Sequence, residues 1–123
     1  MEAQLNRGVR VPSGVTNMAA AATGVAVFQV SNFAQQIGTK SFKVKKLIVE
    51  NIAGGTGWFS LGLGLAGAFV ANMPAFWIVN NMTNVFEEAD IPDVEYFADL
   101  CASVAVLAAG GSVNVQVEVE EIG

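Results

Sequence analysis

Apolar and polar positions alternate strictly in two stretches of this chain. Val113, Val115, Val117 and Val119 alternate with Asn114, Gln116, Glu118 and Glu120, and Phe59, Leu61, Leu63 and Leu65 alternate with Ser60, Gly62 and Gly64. A period of two puts each apolar set on one face of a β-strand, whereas a helix would scatter it around the axis. In the valine stretch a slip of one residue would turn carboxylates inward, so its register is tightly specified. A third run, Phe42–Ile52, changes phase: Phe42 and Val44 share one face, Leu47 and Val49 the other, with Lys45 and Lys46 at the slip. A β-bulge at the lysines would return all four side chains to a common inward face. This run and Trp58–Leu65 flank Ala-Gly-Gly-Thr-Gly, and the pattern predicts that they pair as a β-hairpin.

The remaining elements follow from β-branched runs and turn residues. Val25–Ser31, Ala66–Asn72, Ala75–Asn80 and Val94–Ala108 read as strands, the middle two separated by Asn72-Met-Pro74. Asn80–Asn84 reads as a turn, Val85–Asp90 as a strand or a single helical turn, and Gly110-Gly-Ser112 as the turn before the valine strand. About eight strands of uneven length, without a long amphipathic helix, predict an all-β fold, a single-domain β-sandwich or jelly roll over residues 25–123. Residues 1–24 carry few large apolar side chains and read as an extended N-terminal arm. Positive charge followed by an alanine-rich run also fits a secretory leader. The run is rich in Ala and Gly rather than Leu and continues into a strand, so the arm is expected to be retained.

Composition adds a constraint on the surface. Hydrophobic residues make up 53% of 123 residues and charged residues 14%, so a lone subunit would be short of polar side chains to cover itself, and part of its apolar surface is expected to lie against other chains. The charges are also segregated. All six basic residues, Arg7, Arg10, Lys40, Lys43, Lys45 and Lys46, precede position 47, and after Glu2 no acid occurs until Glu50. A basic first third raises nucleic-acid binding. Scattered cations without interleaved aromatics fit a solvated face or an acidic neighbour better, and nucleic acid is not expected as a partner. Leu61–Val79 is apolar enough to raise a membrane helix, but the alternation up to Leu65 and the Asn-Met-Pro break oppose one, so a membrane is not expected either.

Candidate chemistry is sparse. The chain has no histidine and one cysteine, Cys101, which removes the commonest general base and metal ligand and any intrachain disulfide; Cys101 reads as a small buried residue. The acids Glu87, Glu88, Asp90, Asp93 and Glu95 form the densest cluster, without the glycine-centred calcium-loop pattern. Gly62-Leu-Gly-Leu-Ala-Gly67 matches G-x-G-x-x-G literally but falls inside a strand pattern rather than between a strand and a helix. Asn81-Met-Thr83 matches the glycosylation pattern, which is too short to carry weight alone. No catalytic, cofactor or metal site is expected. Trp58, Phe76 and Trp77, with Tyr96, are candidate aromatics for a subunit interface or, alternatively, for a sugar-stacking platform on a carbohydrate-binding module.

An arm, a small β-sandwich from Val25 to Ile122, scarce charge and surplus apolar surface together resemble the decoration or cement proteins and small jelly-roll capsid components of viruses, especially tailed bacteriophages. The resemblance is one of style and carries no motif. It implies a non-enzymatic virion protein that oligomerises, often as trimers, and clips onto a capsid protein in the shell. On that expectation Arg7 and Arg10 of the arm would lie along Glu87, Glu88, Asp90, Asp93 and Glu95 of an adjacent copy. The competing readings are the carbohydrate-binding module and a small membrane-embedded protein.

Overall fold

The computed structural model describes residues 10–19, 22–29, 41–53, 55–105 and 111–122. Eleven strands run through them: β1 (Arg10–Pro12), β2 (Thr16–Ala19), β3 (Val25–Phe28), β4 (Phe42–Ile52), β5 (Gly57–Leu63), β6 (Val70–Ala71), β7 (Phe76–Ile78), β8 (Thr83–Phe86), β9 (Glu95–Tyr96), β10 (Leu100–Ala105) and β11 (Ser112–Glu121). They form two antiparallel sheets packed face to face as a β-sandwich. One sheet has the order β1/β2, β11, β4, β8/β9; the other has β3, β10, β5, then β6 and β7. Strands β1 and β2 run along the same neighbour, as do β8 and β9, and β6 and β7, so the eleven segments act as eight strands.

The valine strand is the centre of the first sheet. Val113, Val115, Val117 and Val119 are fully buried, facing Phe59, Leu61, Val104 and Leu100 of the second sheet within one continuous core. Burying each valine contributes about 1.5 to 3 kcal/mol before entropy is counted. The bulge expected in β4 is present: Glu118 pairs with Lys46 while the next residue, Val119, pairs with Val44, so Lys45 is the extra residue. Phe42, Val44, Leu47 and Val49 are thereby all buried.

The other side of β11 carries the same device. Strand β1 pairs Pro12 with Glu118, and β2 pairs Thr16 with Val115, leaving one extra residue at Gly14-Val15. Gly14 takes a left-handed conformation, φ 78°, which glycine adopts without steric cost. The Ser13 amide donates to the Val117 carbonyl at 2.8 Å, and the Val117 amide donates to Ser13 Oγ at 3.0 Å, so a side chain completes the ladder where the strand bends. After the bulge Met18 returns inward, 1% exposed. The described part of the stretch read as an arm is therefore an edge strand of its own subunit's sheet, because one well-placed methionine and a backbone ladder hold it down.

The expected hairpin does not form. Strand β4 pairs with β11, β8 and β9, whereas β5 pairs with β10, β6 and β7. The two runs face each other across the core from different sheets. Alternation reports which side chains point inward, and that is the same for two strands paired edge to edge and two strands stacked face to face. Asparagine side chains fix the crossing: the Ala53 amide donates to Asn81 Oδ1 at 2.8 Å, the Gly55 amide to Asn80 Oδ1 at 2.9 Å, and Asn51 Nδ2 to the Gly55 carbonyl at 2.8 Å. They tie the β4–β5 crossing to the β7–β8 crossing at one end of the sandwich.

Gly62 and Gly64 are also structural. A Cβ at Gly62 would stand 2.1 Å from the Val70 carbonyl oxygen, and one at Gly64, φ 97°, would stand 2.2 Å from that of Ala68. These glycines let the chain fold back tightly after β5 through a 3-10 turn at Ala66–Ala68. The Ala66 amide then donates to the Gly24 carbonyl at 3.0 Å. Since β10 lies between β5 and β3 in the sheet, this short strap crosses β10 and covers Cys101, which is 2% exposed.

Candidate functional site

The sandwich presents two outer faces of opposite character. On the first sheet the charges meet at one end, because pairing brings four separate segments together: Arg10 opposite Glu120, Lys43 opposite both Glu120 and Glu95, and Lys46 opposite Glu118. The acidic stretch between β8 and β9 closes over this end. It begins with a 3-10 turn, Glu88–Asp90, locked by reciprocal bonds: Glu87 accepts from the Asp90 amide, and the Glu87 amide donates to Asp90 Oδ2 at 3.2 Å.

Every described cation holds this acidic stretch. Arg10 reaches Glu88 at 3.1 Å, Lys45 reaches Glu88 at 3.3 Å, Lys46 reaches Glu87 at 3.9 Å, and Lys43 reaches Asp93 at 2.8 Å. Arg10 and Lys45 also approach Glu118 and Glu120 at 3.6 and 3.5 Å. The hydrogen bond from Lys43 holds the Asp93 carboxyl below the ordinary carboxylate range, and Asp93 in turn raises the Lys43 ammonium. Glu95 accepts the Ser41 hydroxyl at 2.5 Å. Arg10 meets Glu88 of its own chain, whereas the expectation placed it against the acidic cluster of an adjacent copy; Arg7 lies outside the described residues.

The second sheet carries no charge on any of its strands, Val25–Phe28, Gly57–Leu63, Val70–Ala71, Phe76–Ile78 and Leu100–Ala105. Trp58 and Trp77 are cross-strand partners on its outer face, 43% and 50% exposed. Their rings pack edge to face with centroids 4.7 Å apart. Phe76, grouped with them at the sequence level, points into the core and packs against Phe86 at 4.8 Å; adjacent residues of a strand face opposite ways. Beyond the strap, Leu65 and Phe97 flank a shallow apolar groove floored by Cys101, with Leu63, Gly64, Ala98 and Asp99.

Burial pushes the Cys101 thiol above its ordinary value, which leaves it a poor nucleophile. Among the described residues no cluster of three Cys, Asp or Glu side chains is placed to hold a metal ion. Tyr96 is buried, stacks on Phe42 with centroids 5.5 Å apart, and donates its hydroxyl to Asn72 Oδ1 at 2.6 Å, which links the two sheets. Among the described residues no helix is long and apolar enough to cross a membrane; the window Leu61–Val79 is occupied by β5, the strap, β6 and β7.

Sequence reasoning singled out Trp58, Trp77 and the acidic cluster, which the structure places on opposite outer faces of the sandwich. It missed that the cations of β1 and β4 serve as the cluster's clasp. The available signal was the opposite chain order of the two sets, Lys43, Lys45 and Lys46 meeting Asp93, Glu88 and Glu87 in turn, which becomes visible once β8 and β9 are both placed beside β4. No protein-family model matches the chain, and no curated protein matches it.

Proposed function

We propose that this chain is a non-enzymatic structural subunit of a viral particle that associates with copies of itself, as trimers on the resemblance above, and stabilises or decorates a capsid shell. The observation that carries the reading is the partition of charge. One end of one sheet holds all four described cations, paired with Glu87, Glu88, Asp93, Glu118 and Glu120, and the strands of the other sheet are uncharged with two indoles exposed. A surface so divided suits a body that packs its uncharged flank against neighbours and leaves its charged end to water.

The strand order supports a jelly-roll reading of the sandwich. Taking the eight strands in sequence, the first pairs with the last (β2 with β11), the second with the seventh (β3 with β10), the third with the sixth (β4 with β8 and β9) and the fourth with the fifth (β5 with β6 and β7). That nesting describes one long hairpin rolled into two sheets, an architecture used by capsid and lectin domains alike. The Trp pair supports the first of those uses. A sugar stacks on an open ring face, and here each indole is committed in part to the other.

Light scattering on size-separated protein in detergent-free buffer tests the reading, with discrete oligomers expected. A monomer that binds glycans overturns it in favour of a carbohydrate-binding module, and protein recovered only in detergent overturns both. Immunodetection across a density gradient of particles from the source is expected to find the chain in the capsid band. Its absence from every particle fraction overturns the virion assignment.

A further inference from the structure

We infer that the outer face of the uncharged sheet is a self-docking surface, on which a second copy of this chain seats the same face with Trp58 and Trp77 at the contact. The inference rests on the oligomeric reading above and specifies which surface makes the contact. Its basis begins with the indoles. They are half exposed and hold each other edge to face at 4.7 Å, so their geometry is set before a partner arrives and little rotamer entropy is lost on docking. Tryptophan is also the residue most enriched among those that dominate interface energetics. Small neighbours, Ser60, Ser103 and Ala105, register beside them on the same face and allow close approach.

Charge decides the occupant. A partner presenting ions would desolvate them against strands that hold no counter-charge, at a cost that nothing on this face offsets. An uncharged face complements another copy of itself, and a two-fold contact uses one patch on both partners, so this contact joins copies in pairs and a trimer would be built through a different surface. The geometry also handles the net charge of −5. With sheets about 10 Å apart within each sandwich and a similar spacing at the contact, the two charged faces end roughly 30 Å apart on the outside. That is several Debye lengths at physiological salt, where one is about 8 Å.

Area sets the strength. Four strands at about 4.8 Å spacing and seven residues at about 3.3 Å give a footprint on the order of 400 Å², below the roughly 800 Å² per partner of a standard stable complex. The contact is therefore reversible and concentration-dependent in solution, and is reinforced where many copies sit on one shell.

The test is sedimentation equilibrium across a concentration series, with tryptophan emission read in parallel, since both tryptophans of the chain lie on this face. The parent is expected to associate with a blue shift of emission, and to associate more tightly as salt rises from about 0.01 M, where the Debye length is about 30 Å, with little further change above physiological salt. Trp58→Ser with Trp77→Ser is expected to weaken association at least tenfold. Trp58→Phe with Trp77→Phe guards against a folding defect, because it keeps aromatic packing; it is expected to show the parent's far-ultraviolet dichroism and intermediate association. Serine variants that associate as well as the parent, or parental association without an emission shift, overturn this face while leaving the oligomeric reading intact. A parent that stays monomeric throughout overturns both, and emission that responds to added sugars but not to protein concentration assigns the indoles to glycan binding instead.

Discussion

Tyr96 shows how much one side chain carries in this small core. It is the chain's single tyrosine, it stacks on Phe42 from the first sheet, and its hydroxyl reaches Asn72 beside the second. Burial pushes its pKa up to about 12 from 10.0, and the hydrogen bond to Asn72 opposes the shift only in part. A group whose folded pKa is raised contributes stability that is complete below its unfolded value and is lost as pH rises toward the folded one. The protein is therefore expected to lose stability between about pH 10 and 12, and an absorbance titration of phenolate reads Tyr96 alone. A midpoint near 10 with the fold intact would show that the ring is not buried. The valines of β11 make a second residue-scale prediction. Val117 is fully buried and Gln116 faces outward, so Val117→Asp is expected to abolish soluble expression, since a buried unpaired carboxylate costs several kcal/mol or more. Gln116→Asp is expected to stay within about 0.5 kcal/mol of the parent in chemical denaturation. These inward and outward assignments were legible in the sequence of β11, whereas in the other alternating run only Phe59 and Leu61 are buried, and Leu63 and Leu65 are exposed where the chain leaves β5 for the strap. The same period misled nothing at Phe76, where the error came from grouping aromatics by proximity along the chain instead of by parity.

At the scale of elements, the bulge in β4 was legible as a phase change at Lys45-Lys46, and the matching bulge at Gly14-Val15 was hidden because Thr16 and Ser13 are not apolar markers. The two bulges flank the straight β11 and let both neighbours keep their apolar residues inward while the sheet bends. The clasp over the acidic stretch was illegible for a different reason: ion pairing depends on which strands become neighbours, and nothing local specifies that. Its strength is bounded by exposure. Glu88 is 59% exposed, and pairs of this kind contribute about 0 to 1 kcal/mol each. Glu88→Gln, which removes the carboxylate shared by Arg10 and Lys45, is expected to cost no more than about 1 kcal/mol globally. Hydrogen exchange at the amides of residues 87–94 is expected to quicken, and the difference from the parent to shrink near 1 M salt, where the Debye length is about 3 Å. Acid is expected to loosen the same segment. The Asp93 carboxyl is held below its ordinary 3.8, so its contribution is present above about that pH and is lost as pH falls further. Exchange in this segment that ignores both the substitution and the salt would show that the ion pairs do not hold it.

At the scale of the whole molecule, the all-β class and the sandwich were legible from strand count and period, and the topology was not. Nested pairing joins the chain's first described strand to its last, and the partner of each strand lies far away in sequence, beyond the reach of any local pattern. The tip of the rolled hairpin is β5 with β6 and β7, one strand later than the Phe42–Ile52 and Trp58–Leu65 pairing that the turn residues suggested. The same nesting changes what the N-terminal stretch is for. Residues 10–19 cover the edge of β11 over nearly its whole length, from the pairing of Arg10 with Glu120 to that of Ala19 with Ser112, and Met18 fills part of the core. A chain lacking residues 1–19 would leave β11, the most regular strand of the protein, as an unprotected edge, and an exposed flat edge rich in valine invites pairing with other chains. Such a truncation is expected to aggregate, whereas an arm that only reached toward neighbours would leave a folded, soluble subunit when removed. The Arg10–Val11 bond is likewise expected to resist trypsin in the isolated subunit, because it lies within the ladder. A truncated protein that remains soluble with parental β-dichroism and thermal midpoint would show that the first two strands are accessory to the fold.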